Sequence, residues 1–112
     1  MRIISGKFKG LKLFSPKNKL IRPTSDRGKE TIFDTLTSIL LSEGKYFSKM
    51  KVLDCFCGSG ALGIESISRG SENVCFIDSS QVAIDLTKKN CSLLDGNKNL
   101  NFLKLDLTNF KI

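Results

Sequence analysis

Residues 52–63, Val-Leu-Asp-Cys-Phe-Cys-Gly-Ser-Gly-Ala-Leu-Gly, run from an apolar stretch through an acid, Asp54, into a glycine-rich turn. A short apolar run of this kind reads as a buried strand. The glycines then permit a tight turn that opens a helix and lets a ligand approach the main chain. The same alternation continues downstream. Strand-like runs at 51–56, 73–78 and 100–107 are separated by helical patterns at 59–69 and from about 80 to 94. Val82, Ala83, Leu86 and Leu93 are expected to face inward, and Asp95-Gly96-Asn97 to form a turn. Short strands joined by helices require right-handed crossovers, so the expected architecture is a doubly wound parallel α/β sheet.

Upstream of the sheet the pattern differs. Arg2–Ser5 and Phe8–Phe14, with Gly6 and Gly10, suggest a small β-hairpin, and residues 15–23 read as a polar linker holding both prolines, Pro16 and Pro23. Thr24-Ser25-Asp26 supplies helix caps, Ile32, Phe33, Leu36, Ile39 and Leu40 share one face of the helix that follows, and Gly44 is its stop. Residues 1–23 are thus expected to be a basic extension and 24–112 a Rossmann-like domain. No apolar run approaches the roughly 20 residues that span a bilayer. The amino terminus also lacks a signal-peptide layout, so a cytoplasmic protein without membrane contact is expected.

Charge and cysteines narrow the partners. Residues 1–29 carry nine Lys or Arg against one acid, whereas the rest of the chain carries nine against ten. A concentrated basic segment suits a phosphate-rich partner, although a merely solvated segment has the same composition. Cys55, Cys57, Cys75 and Cys91 lack zinc-site spacing, and the chain has no histidine, so buried structural cysteines and no metal are expected.

Gly58, Gly60 and Gly63 spell the dinucleotide fingerprint, and Asp78 lies 18 residues beyond Gly60, where a ribose-binding acid is expected. Asp54 argues for a different ligand. A carboxylate at the mouth of this turn would repel a pyrophosphate, whereas S-adenosylmethionine carries an ammonium and a sulfonium and no phosphate. The candidate cofactor contacts are Asp54, the turn Gly58-Ser59-Gly60, Asp78 with Ser79, and Asp106 with Leu107, where Asp106 could accept from an adenine amino group. Each has a plainer reading: the glycines as a tight turn, Asp78 as a helix cap with Ser79 or Ser80, Asp106 as the start of a loop.

With these residues in view, the chain resembles the RsmD family of bacterial small-subunit ribosomal RNA guanine-N2 methyltransferases. The likeness is carried by residues 1–13, by Arg22-Pro23-Thr24-Ser25-Asp26-Arg27 continuing to Phe33, and by Leu53–Gly63 with Glu65 and Ser68-Arg69-Gly70. It implies a Rossmann-like fold and methyl transfer from S-adenosylmethionine to a guanine N2. It also implies RNA contacts at Lys7, Lys9, Lys12, Arg22 and Arg27. Enzymes that methylate exocyclic amines are expected to carry an Asp/Asn-Pro-Pro-Tyr/Phe loop after a fourth strand, and both prolines here precede the glycine turn. A truncated chain without catalytic residues is therefore expected. It would be inactive alone and open to self-association through the uncovered edge of its first strand. A non-catalytic RNA- or S-adenosylmethionine-binding module from a degenerate gene is the alternative; a dinucleotide-dependent oxidoreductase is disfavoured by Asp54.

Overall fold

The computed structural model describes residues 1–17, 24–96 and 99–109. Arg22, Pro23 and Asn97 of the expectations above lie outside the described residues. Three parallel strands, β1 (Lys51–Asp54), β2 (Asn73–Asp78) and β3 (Asn99–Lys104), lie in the order β1-β2-β3. Lys51 pairs with Asn73 and Asn73 with Asn99, so the strands start level and Asp54 and Asp78 come out at the same end of the sheet. The crossovers are α2 (Ala61–Ser68) and α3 (Gln81–Cys91), with α1 (Asp26–Ser42) ahead of the sheet. This is the parallel α/β arrangement that the alternating pattern required.

The core joins α2 and α3 to the sheet through Ile64, Ile67, Val74, Phe76, Ile84 and Cys91. Phe76 stacks on Phe102 of β3, with ring centroids 5.5 Å apart. A Cβ at Gly63 would lie 2.3 Å from the Phe76 ring, so the third glycine of the fingerprint is what lets α2 lie close on β2.

The amino-terminal segment forms a hairpin shorter than expected. Arg2 and Lys12 form an isolated antiparallel bridge, supported by Ile3 N–H to the Leu11 carbonyl and Leu13 N–H to that of Met1. Gly10 N–H also bonds the Ile3 carbonyl, and beyond that pair the backbone of the tip bonds to α2. Ile4 and Ser5 donate to the Glu65 carboxylate at 2.9 and 3.1 Å, Lys7 to the Ser68 carbonyl, and Phe8 to Ser68 Oγ. Ile3 and Leu13 belong to the core cluster. The segment is therefore part of the packed body.

Glu65 is fully buried and also accepts from Arg69 Nε at 3.0 Å, while the equally buried Lys29 ammonium lies 3.8 Å away and donates to the Arg2 carbonyl. Burial holds Lys29 below its ordinary pKa, and the Glu65 charge opposes that shift. Lys29, counted in the basic run, is thus an internal ion-pair partner and adds nothing to the surface.

Two helix faces differ from expectation. Of the apolar face of α1 only Phe33 is buried; Ile32, Leu36 and Ile39 are exposed. With Leu53 of β1, itself 58% exposed, they line a groove of about 410 Å³ beside Asp54. β1 is the edge of the described sheet, so this face lacks the neighbouring layer that would cover it. On α3, Val82 is exposed and Leu86 half-buried, and Leu93, expected to face inward, lies exposed just beyond the helix, whereas Ala83, Ile84, Thr87, Asn90 and Cys91 face inward. Polar Thr87 and Asn90 take inward positions because they bond backbone carbonyls there. Of the four cysteines, Cys57 and Cys91 are buried but Cys55 and Cys75 are only half-buried, and all four are free thiols.

Replacing one member of a buried ion pair typically costs 3–5 kcal/mol, against about 1 kcal/mol or less for an exposed pair. Urea denaturation should show Glu65→Ala in the first range. Arg2→Ala, which removes the exposed Arg2–Asp26 pair, should fall in the second.

Candidate functional site

β1 delivers Asp54 to the carboxyl end of the sheet, and the chain turns through residues 55–60 into α2. Gly60 holds the turn at φ +83°, and a Cβ there would meet the Thr87 methyl at 2.8 Å, so both backbone and packing demand glycine. Gly60 has no side chain to cap α2. Asp54 does this from beneath: its Oδ2 accepts the Gly63 N–H at 3.0 Å. The carboxylate is therefore 9% exposed, below the loop rather than at its open mouth, and it borders the apolar groove. Desolvation raises its pKa above the ordinary 3.8, the Gly63 amide opposes this, and the negative charge of Asp78 adds to it.

Asp78, at the end of β2, clamps the other side of the turn. Its Oδ2 accepts from Gly58 N–H and its Oδ1 from Ser80 N–H, both at 3.0 Å. Two backbone amides orient this half-buried carboxylate and leave lone pairs for donors such as paired hydroxyls. The cap of α3 is Ser80, whose side chain accepts from Ala83 N–H, while Ser79 is exposed. Ser59 is buried, and its carbonyl accepts from Asn90 Nδ2 at 2.9 Å; the Gly58 carbonyl accepts from Thr87 Oγ1 at 3.0 Å. Thr87 and Asn90 were not singled out in the sequence. Their one signal was polarity at the helical spacing of three within an otherwise amphipathic pattern.

Asp106 follows β3 by two residues and is exposed. It accepts from the amide and hydroxyl of Thr108 and from the Asn109 side chain, bonds that hold its pKa below the carboxylate norm. Leu107 begins that 3₁₀ turn and is half-buried.

Lys7, Lys9, Lys12 and Arg27 are all exposed. Lys89 of α3 extends the same basic character, its ammonium lying 4.0 Å from the centroid of the exposed Phe14 ring. Among the described residues, no cluster of three or more His, Cys, Asp or Glu is arranged to hold a metal ion. None of the described helices is long and apolar enough to cross a membrane.

The arrangement is a main-chain cradle flanked by two carboxylates, one wet and one dry. A family described as "Conserved hypothetical protein 95" matches residues 1–110. The chain belongs to this family. It is 38% identical over 98 residues to ribosomal RNA small subunit methyltransferase D of Escherichia coli K12, a match covering 87% of this chain and 46% of that protein. To the protein YlbH of Bacillus subtilis it is 40% identical over 106 residues, covering 95% and 54%. The solved structure of yhhF from Escherichia coli superposes with a TM-score of 0.76 at 33% identity, covering 95% of this chain and 53% of that one. The chain spans about half the length of the relatives it matches. The likeness to the RsmD methyltransferases carried by its motifs is therefore a family relationship.

A carboxylate whose folded pKa is raised contributes stability below its unfolded pKa, and that stability is lost as pH rises through the folded value. Asp54 should thus make the chain less stable as pH climbs from about 4 toward neutrality. Asp54→Asn keeps an acceptor for Gly63; thermal melts across this range should show its decline flattened and its stability at neutral pH raised. Burial also pushes the Cys57 thiol up to about 11, so iodoacetamide should label Cys55 and Cys75 in the native chain well before Cys57.

Proposed function

We propose that this chain is the cofactor-binding half of a methyltransferase acting on guanine N2 of small-subunit ribosomal RNA in the cytoplasm, with S-adenosylmethionine as its cofactor. The observation that carries the reading is Asp54. It is a desolvated carboxylate at the carboxyl end of β1 with no cation paired to it among the described residues. A cationic ligand beside it restores the charge balance that burial disturbs, whereas a pyrophosphate would worsen it. The residues fit the cofactor on that ground, and also because Asp78 is held with lone pairs free for ribose hydroxyls.

When bound, S-adenosylmethionine supplies an electrophilic methyl group on a sulfonium. In this reading Asp54 orients the cationic end. The turn Gly58-Ser59-Gly60 lies against the cofactor, and Asp78 with Ser79 takes the ribose. The end of β3, Asp106 and Leu107, meets the adenine edge through the lone-pair capacity that Asp106 retains. Lys7, Lys9, Lys12, Arg27 and Arg22 would contact RNA phosphates. No residue in these 112 is assigned to the chemical step, because none forms the Pro-Pro loop expected to hold the amine. That supports the second reading for the chain on its own: binding of cofactor and RNA without turnover. The exposed edge of β1 and the apolar groove beside it are the proposed surface for self-association, which sedimentation at rising concentration would reveal as a dimer.

Calorimetry should find binding of S-adenosylmethionine and none of NAD, with Asp54→Asn weakening the former about tenfold or more, the loss of one charge-assisted contact of roughly 1.4 kcal/mol. Equal affinity in the variant, or preference for NAD, contradicts the assignment. RNA affinity should fall steeply with salt, and the joint change of Lys7 and Lys9 to Ala should reduce that salt slope by about two. Incubation with labelled S-adenosylmethionine and unmodified small-subunit RNA should give no enzyme-like turnover.

A further inference from the structure

Asn90 is fully buried on the inward face of α3, and its amide is used in two directions. Toward the glycine turn, Nδ2 donates to the Ser59 carbonyl at 2.9 Å. Toward the amino-terminal segment, Nδ2 donates to the Phe14 carbonyl at 3.1 Å while Oδ1 accepts the Phe14 N–H at 2.7 Å. Both amide donors are spent, and the pair of bonds to Phe14 imitates one rung of a β-ladder. Thr87, one turn earlier, bonds within the turn, to the Gly58 carbonyl and to Cys57 Sγ. Leu13, next to Phe14, bonds instead to the Met1 carbonyl within the segment.

We propose that Asn90 is a positioning residue that locks the glycine turn to the end of the basic amino-terminal segment, so that the two move as one unit. The physical reason lies in the cost of the alternative. If the turn shifts away, a buried amide donor loses its partner unless the segment follows, and an unsatisfied buried polar group costs on the order of 1–3 kcal/mol. In the proposed reading the RNA-facing lysines, whose own stretch is fixed to α2 by Glu65 and Ser68, are tied to the cofactor turn a second time, at the end of the segment, by Asn90. This functional meaning, though not the mechanical link, rests on the reading of the turn as the cofactor cradle and of the segment as an RNA contact.

Amide hydrogen exchange on the ¹⁵N-labelled chain separates the two. In the unaltered protein the Gly60 and Phe14 amides should report the same opening, with protection agreeing within about threefold, since cooperative units open together. Thr87→Val, which frees the Gly58 carbonyl and the Cys57 thiol, both in the turn, should speed exchange at Gly60 and at Phe14 alike, by about fivefold or more, while Leu13 stays unchanged. Asn90→Asp, which keeps an acceptor for the Phe14 N–H but removes the Nδ2 donors, should uncouple them: Thr87→Val added to it should no longer alter Phe14. Phe14 protection that ignores the state of the turn, or Leu13 changing in step with Phe14, overturns the lock. Adding saturating S-adenosylmethionine should slow Gly60 and Phe14 together and leave Leu13 alone. If the lock holds without ligand but the cofactor changes neither amide, the mechanical inference stands and the cofactor reading fails.

Discussion

The carboxylate of Glu65 is the constraint on which the arrangement rests. An ionised group without access to water is tolerated only when its lone pairs and its charge are both answered. Here Ile4 and Ser5 answer with backbone amides and Lys29 and Arg69 with positive charge. One side chain on α2 thereby joins the amino-terminal segment and α1 to the helix that leaves the glycine turn. Ser68, one turn later, repeats the device with Lys7 and Phe8. The surface lysines at positions 7, 9 and 12 are consequently presented by a segment whose backbone is fixed, as the proposed placement of a large substrate beside a small cofactor would require.

The two acids of the turn show how one residue type serves opposite roles. Asp78 is half-buried, held by two amides, and remains a ready acceptor. Asp54 is nearly dry, with its charge opposed by burial and by Asp78. Its bond to Gly63 completes a helix terminus that Gly60 leaves uncapped. Structural capping and the proposed attraction of a cationic ligand therefore draw on the same electrostatic fact: the chain keeps a carboxylate where its own contacts only partly compensate it. Stability given up at such a position is the usual accompaniment of a binding site.

Much of the framework was legible because local patterns and global fold agree. The strands and the capping serines Ser25 and Ser80 follow from apolar periodicity and from short polar side chains ahead of it. The misjudged positions share a cause. The amino-terminal hairpin is shorter than its alternation suggests, because Glu65 and Ser68 take the amides of Ile4, Ser5 and Phe8. The α1 stripe of Ile32, Leu36 and Ile39 is amphipathic, yet only Phe33 finds a covering layer, against Phe47 and under Arg69. In and just after α3, hydropathy pointed to Val82 and Leu93, whereas Thr87 and Asn90 are inside because the glycine turn offers carbonyls to bond.

Sequence alone determined the family, the parallel α/β class and the two acids around a glycine turn, since each depends on residue type at a fixed local spacing. Tertiary structure alone decided that Lys29 is internal, that Asp54 lies beneath the turn and caps α2, and that Asn90 ties the turn to Phe14. Those facts depend on which distant groups meet in a water-poor interior, where an unpaired donor or charge is costly and the pairing that avoids the cost is written in no single stretch of the chain.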